Sequence, residues 1–510
     1  MLKISWRSGT WGTRLKYQPA NDANYFRLTL HPEIHLWSLS INVHKIMQRK
    51  KLVCLFFLLV LYGSTKVHAQ VLTLKEAVQT ALTNYGSIKS RANYINASKE
   101  SATQAKRDYL PNLNVSAQQD YGTVNGQFGP SYGLNGLGVA SSGPTLSSQN
   151  SNAAFGGLYL ANINWDFFAF GRSREKIKTA QAVVTRDEAD LQQEQFQQEV
   201  RVAAAYLNLL AAQRLTTSWQ RNLARADTFR FVVVTRVLNG LIPGVDSSLA
   251  NAEVSSARIA YTKAKDFEQT QANQLAVLMG VPPKDFVLDT VFITKIPSSL
   301  LDPLHDSLQN HPLLKYYENR IRLSDAQASY YHTLNFPAFS LFGVGQTRGS
   351  GFSSSYATDQ TAYTKNYWDG VKPSRSNYLI GIGVTWNITT PLRVSHQVKA
   401  QKYISQGLKD EYDLVQQQLN AQISLAGTRI LNALDNYREA PIQVNAASDA
   451  YLQRTVLYKN GLTNIVDVTQ VSYTLNRAET DRDIAYTNVW QALLLKAAAS
   501  GNFSLFINEF

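Results

Sequence analysis

One short stretch occurs twice. Asn239-Gly240-Leu241-Ile242-Pro243-Gly244-Val245-Asp246 returns 221 residues later as Asn460-Gly461-Leu462-Thr463-Asn464-Ile465-Val466-Asp467. Asn, Gly, Leu, Val and Asp recur at matching places, and each copy lies between two long helical patterns. The same displacement carries Trp165 onto Trp386. Earlier in each half the displacement is 226, carrying Asn84 onto Asn310, Lys89 onto Lys315 and Pro111 onto Pro337. The change of offset falls where each half has a Gly/Ser-rich excursion, and such loops tolerate length differences. The expected architecture is therefore a tandem duplication whose unit reads helix, strand, loop, strand, long helix, turn, long helix.

The first 69 residues are expected to stand apart from that body. Met47-Gln48-Arg49-Lys50-Lys51 is basic, Leu52 to Tyr62 is apolar, and Val67-His68-Ala69 offers a small-x-small site, the order of a secretory signal peptide over 47–69. The apolar run is well short of the roughly 20 residues a spanning helix needs. Residues 1–46 are expected to be a spurious or unstructured extension, with Met47 as the true start. The net charge of +13 invites nucleic acid as a partner. However, residues 1–69 hold 10 of the 50 Lys/Arg and 2 of the 37 Asp/Glu, so the remainder carries only +5. A nucleic-acid partner has no support. Cys54, the one cysteine, lies in the apolar run, which leaves the mature chain no disulfide, thiol nucleophile or sulfur ligand.

The first repeat, 70–302, opens with a helix expected from Leu72 to about Tyr109, with Thr73 as N-cap and Pro111 as stop. Strict alternation follows over about 112–124, with Leu113, Val115, Ala117 and Tyr121 opposed to Asn112, Asn114, Ser116 and Asp120. After a loop at 125–154, whose glycines include 133, 136 and 138, a second alternating run covers about 157–170. It ends in aromatic residues, among them Trp165 and Phe167. From Arg172 to about Leu238 the period becomes helical, close to 70 residues, a length typical of coiled coils. A return helix is expected from about Asp246 to Met279, with Ala250, Ala252, Ala257, Ala260 and Ala264 allowing close approach. Pro282-Pro283 ends it, and 284–302 link the repeats.

The second repeat, 303–510, follows the same order. It has a helix from about Pro303 to Leu334, strands at about 338–347 and 377–389, and a loop at 349–375. A long helix starting near Pro391 then carries the stripe Leu408, Tyr412, Val415, Leu419, Ile423, Ala426, Ile430, Leu434 and Tyr437. Its mean step near 3.6 implies a nearly straight helix. After the second Asn-Gly turn the last helix runs from Asp467 to about Ala499.

The four strands have the length, aromatic ends and two-faced pattern of transmembrane strands. Four strands cannot close a barrel, and lipid does not tolerate open edges, so further copies of the chain are expected to complete it. Gly240 and Gly461 fit the left-handed position after a helix. Asp246 and Asp467 are expected to cap the following helices, where a carboxylate suits the dipole. No His-Glu-x-x-His, Gly-x-Ser-x-Gly or phosphate loop occurs. The reading is of a non-enzyme without cofactor or metal.

The duplicated order, the Asn-Gly-(x)4-Val-Asp turns and the Trp-bearing strands closely resemble the TolC-type outer-membrane efflux channels over about 70–505. That resemblance implies a mixed α and β membrane protein. Three subunits would share one twelve-stranded barrel, and their helices would form a long periplasmic tunnel tapering at the turns. It implies a passive export duct in the outer membrane of a Gram-negative bacterium, docked to a periplasmic adaptor and an inner-membrane pump. Asp467 matches an aspartate ring at the closed mouth, and Gln470 replaces a second aspartate, so a weaker ring is implied. Tyr458 matches a tyrosine that bonds across to the first-half turn, with Asp246 as the candidate partner. An arginine usual between glycine and aspartate is replaced by Thr463 or Asn464. The competing reading is a soluble periplasmic coiled-coil adaptor, which leaves the amphipathic strands unused.

Overall fold

The computed structural model describes residues 71–126, 144–298, 300 and 308–509. The readings for 1–46, the signal peptide, Cys54 and the glycines at 133, 136 and 138 lie outside them. The first elements among the described residues are α1 (Leu74–Asn84) and α2 (Gly86–Arg107). Thr73 caps α1 as expected: its hydroxyl accepts from the Glu76 N–H, and the Glu76 carboxylate accepts from the Thr73 N–H, both at 3.2 Å. The expected single helix is broken at Tyr85, which is extended (ψ 126°). Asn and Gly flank the break, both weak helix formers. The corner is also packed from outside, because a Cβ on Gly280 would sit 3.0 Å from the Asn84 carbonyl.

Then come β1 (Asn112–Thr123), β2 (Ala153–Phe168), α3 (Arg172–Leu238) and α4 (Gly244–Met279). The expected linker contains a short helix, α5 (Val291–Thr294), and Leu288 bridges in parallel to Leu72. The next helix, α6 (Pro312–Thr333), starts later than the 303 expected, after a 3-10 turn at Leu308–Asn310, and residues 301–307 lie outside the description. After it come β3 (Ala338–Ser350), α7 (Tyr367–Val371), β4 (Arg375–Thr385), α8 (Thr390–Lys459), α9 (Ile465–Ser500) and α10 (Ser504–Ile507). At 1.5 Å per residue, α3 with 67 residues and α8 with 70 are each about 100 Å long. The bounds of α9 fall 221 residues after those of α4, and the bounds of α6 fall 226 after those of α2.

Three strand expectations need correction. β2 begins at 153 rather than 157, β3 continues to 350, and β4 stops at 385, leaving Trp386 just beyond it. The expected loop at 349–375 holds α7, folded against the sheet. Tyr159 Oη donates to the Val371 carbonyl (3.0 Å), and Gly349 lets the α7 backbone approach, since a Cβ there would lie 2.6 Å from the Gly370 oxygen. Tertiary packing permitted by Gly157, Gly349 and Gly370 leaves no periodic signal.

The sheet is antiparallel throughout in the order β1-β2-β3-β4. Register aligns Leu113 with Ile163, Ile163 with Gly343 and Gly343 with Ile380, so one face is apolar across all four strands. The other carries Asn112, Asn114, Asn162 and Asn164. The apolar face is uncovered: Val115 is 79 % exposed, Ile380 74 % and Ile382 68 %. The outer edges of β1 and β4 pair with no strand among the described residues. Among those residues no helix is long and apolar enough to cross a membrane.

The core lies where the helices cross the linker. Trp490, Tyr206, Leu207, Leu275 and Leu493 are almost wholly buried with Phe292 and Phe506. Tyr206 Oη donates to the Leu72 carbonyl (2.8 Å) and accepts from the Asp289 N–H (3.0 Å). Burial pushes its pKa up to about 12, so the phenol stays protonated. Farther along, packing thins to alanine seams. Ala250, Ala257 and Ala264 are buried at seven-residue steps, whereas Ala252 faces solvent and Ala260 is half-buried. The α8 stripe is buried or half-buried along its length, as its period requires.

His311, 3 % exposed, caps α6 in its neutral form. Nδ1 accepts the Leu313 N–H (3.1 Å), and Nε2 lies 3.3 Å from the Ala498 carbonyl, to which it donates. Burial lowers its pKa below 6.5. The unfolded chain therefore binds the extra proton first. The stabilisation is complete above pH 6.5 and is lost as pH falls through the lowered folded value. Thermal unfolding should show a larger drop in Tm from pH 7.5 to pH 5 for the wild type than for His311→Asn, which caps without titrating. Equal drops would contradict this.

Candidate functional site

The two repeated turns have the same backbone. Asn239 ends α3, Gly240 takes φ +70°, its N–H bonds the Val237 carbonyl (2.9 Å), and the Leu241 N–H bonds the Arg236 carbonyl (2.9 Å). At the second turn Gly461 takes φ +75°, and the matching bonds run to Tyr458 (3.0 Å) and Leu457 (2.9 Å). This is the Schellman pattern, and it needs a left-handed residue at the glycine. Asn239 and Asn460 bond back to their own helices through Nδ2, to Thr235 (2.9 Å) and Val456 (3.0 Å).

The aspartates are not the caps. Pro243 precedes α4 and supplies no side-chain bond, while Asn464 caps α9 by accepting the Asp467 N–H (2.9 Å). Asp246 and Asp467 occupy the third helical position, where the dipole still favours them. That leaves their carboxylates free for other helices. The proline fixes the entry to α4, and a side chain two residues into the helix escapes the local pattern from which capping was read.

Tyr458 and Asp246 do come together. The phenol, 3 % exposed, donates to Asp246 Oδ2 at 3.4 Å, and its ring lies 5.2 Å from Phe229. Burial first, then the Asp246 charge, pushes the Tyr458 pKa up to about 12, so the donor persists throughout the physiological range. Beneath it, Val233, Ala250, Ile465 and Val468 form a small buried cluster. Arg236 was missed by sequence reading. Its Nη1 donates to the carbonyls of Tyr458 (2.7 Å) and Lys459 (3.1 Å), and its guanidinium lies 5.5 Å from the Tyr458 ring centre. A cation in the last turn of α3 fits that helix's dipole, but it serves the C-terminus of α8 instead.

Asp467 is held by other groups. Thr463 Oγ1 donates to Oδ2 at 2.5 Å, and Arg454 Nη1 stands 3.6 Å away. Half-exposed, this pair contributes little stability but offsets part of the carboxylate's charge. Gln470 is exposed on the next turn and is not brought into the Tyr458–Asp246 contact. Farther along, Tyr473 donates to Glu253 (2.7 Å), and Arg225 holds Glu479 through two bonds (3.0 and 2.9 Å). These links tie the α3–α4 hairpin to α8–α9. Each joins residues more than 200 positions apart, so no local spacing reveals them.

Trp165, Phe167 and Trp386 lie at the opposite end of α3 and α8. Trp165 Nε1 donates to the Tyr109 carbonyl (2.9 Å) and Trp386 Nε1 to the Asn335 carbonyl (3.0 Å), with the Phe167 ring 6.2 Å from Trp165. The chain thus places the Tyr458–Asp246 contact at one end and an aromatic-edged, uncovered sheet at the other.

A model of the family described as outer membrane efflux protein matches residues 77–281 and 304–494. No curated protein matches. Several solved structures are similar in fold. The outer membrane protein VceC from Vibrio cholerae is 17 % identical with TM-score 0.65, over 84 % of this chain and 96 % of its own. The CmeC outer membrane channel of Campylobacter jejuni is 15 % identical with TM-score 0.66, over 84 % and 85 %. The MtrE outer membrane channel of Neisseria gonorrhoeae, solved in its open state, is 16 % identical with TM-score 0.65, over 84 % and 89 %.

Proposed function

The chain belongs to the outer membrane efflux protein family, and on that premise we propose that three copies assemble into one export duct. Efflux across the outer membrane is the family's function, and a soluble adaptor is not favoured. The observation that carries the trimer is the sheet: four strands, an uncovered apolar face and two edges unpaired among the described residues, continuous with helices about 100 Å long. Lipid accepts such a face and rejects such edges. Three sheets joined edge to edge make a twelve-stranded barrel, with Asn112, Asn114, Asn162 and Asn164 facing water inside.

The repeats at 70–302 and 303–510 are read as a tandem duplication. The paired family matches and the constant offsets between helix bounds support this. The helices are read as the wall of a periplasmic tunnel that meets an adaptor and an inner-membrane pump at its turn end. Tyr458 and Asp246 are read as a latch there, with Arg236 locking α3 to the last carbonyls of α8. Asp467 is read as lining the mouth, its charge partly offset by Arg454, and Gln470 as adding none. Opening separates the α3–α4 hairpin from α8. The duct itself supplies no energy.

Extraction tests the membrane assignment. The mature protein should stay with the membrane through high-salt and carbonate washes and leave only in detergent. Release by either wash would favour the adaptor reading.

A further inference from the structure

Where β2 passes into α3, a cavity of about 510 Å³ combines the apolar side chains of Phe167, Phe168 and Ile177 with the cations Arg172, Arg174 and Lys178. No Asp or Glu lines it. Its place in the sheet follows from register. Trp165 lies across from Leu341 and Phe168 across from Phe339, so Phe168 is on the apolar face, with Leu341 and Ile382. Tyr109, also in the lining, touches Trp165, which touches Phe167, with ring centres 6.0 and 6.2 Å apart. The lining comes from β2, α3 and the segment before β1.

The cations are poorly used by the protein itself. Arg174 has no ion pair or hydrogen bond among the described residues. Among the described residues Lys178 pairs only with Glu175 on its own helix, at 3.2 Å, and its side chain is 56 % exposed. Arg172 donates Nη2 to the Phe336 carbonyl (2.9 Å), but its Nε is buried with no partner. An apolar cavity with spare guanidinium and ammonium groups, at the level where lipid-facing strands give way to helices, fits one class of ligand.

We propose that this cavity binds an anionic phospholipid of the periplasmic leaflet. The phosphate accepts from Arg174 and Lys178, and the start of an acyl chain lies against Phe167, Phe168 and Ile177. The site rests on the barrel reading, because it requires the apolar face to meet lipid.

Native mass spectrometry of the detergent-purified full mature chain tests it, with titrations of phosphatidylglycerol and of phosphatidylcholine carrying the same acyl chains. The wild type should retain phosphatidylglycerol at roughly tenfold lower concentration. Arg174→Gln with Lys178→Gln should bring the two lipids level without changing the assembly mass. Phe168→Ala should weaken both lipids alike. Equal retention by the wild type, or an undiminished preference in the double variant, would overturn the site. The same spectra report the assembly separately. Failure to find a trimer would count against the barrel reading, while lipid preference is still read on whatever species is present.

Discussion

The conductance per channel in planar bilayers, averaged over closed and conducting states, should rise when Tyr458→Phe is combined with Asp246→Ala. The phenol–carboxylate bond is long at 3.4 Å, but its donor is buried and its acceptor is charged. A bond of that kind contributes about 1–2 kcal/mol net. If the closed mouth is held by a bias of that size, its loss enriches the conducting state by roughly tenfold, since about 1.4 kcal/mol is one decade. The effect should not depend on pH between 6 and 9, because the Tyr458 pKa is pushed up to about 12 and the donor never ionises there. Arg236→Ala should add to it by freeing the last carbonyls of α8 from α3. Unchanged conductance in the double variant would remove Tyr458 and Asp246 from the gate.

Trp490→Ala should destabilise the subunit by about 3–5 kcal/mol, the usual cost of deleting a large aromatic side chain from a core. The indole is 1 % exposed, lies 4.9 Å from the Phe292 ring and 6.1 Å from Phe506, and donates Nε1 to the Lys295 carbonyl (3.2 Å). It joins α9 to the linker helix α5 and to α10, a place where elements far apart in sequence share one core. Guanidinium unfolding of the detergent-solubilised protein, followed by circular dichroism, measures the loss. A change under about 1 kcal/mol would show that this belt does not hold the helices together.

Features governed by short-range periodicity were legible in the sequence. Alternation at about 112–124 and 377–389 marked the strands that form at 112–123 and 375–385 because one face is uniformly apolar, and the stripe from Leu408 to Tyr437 marked a single long helix. The glycines of both turns were legible because Schellman closure demands a left-handed residue. Features set by tertiary contact were not. Tyr85 breaks a helix whose polar–apolar pattern continues through it, because the chain must turn against Gly280. The α7 helix exists because Gly349 and Gly370 admit a backbone onto the sheet. Arg236 and Arg454 were invisible for a similar reason. The resemblance implies an arginine between the turn's glycine and aspartate, whereas here the cations come from α3 and from α8, ahead of the turn. Pairing of Tyr458 with Asp246 came from family resemblance, and nothing in the local spacing carries it.

The most direct measurement is the mass of the detergent-extracted mature protein by light scattering, made on the sample whose current is recorded in a planar bilayer. The barrel account predicts a trimer that gives discrete ion-conducting events. A monomer or dimer without conductance would contradict it, and the four strands would then have to hide their apolar face against something other than lipid.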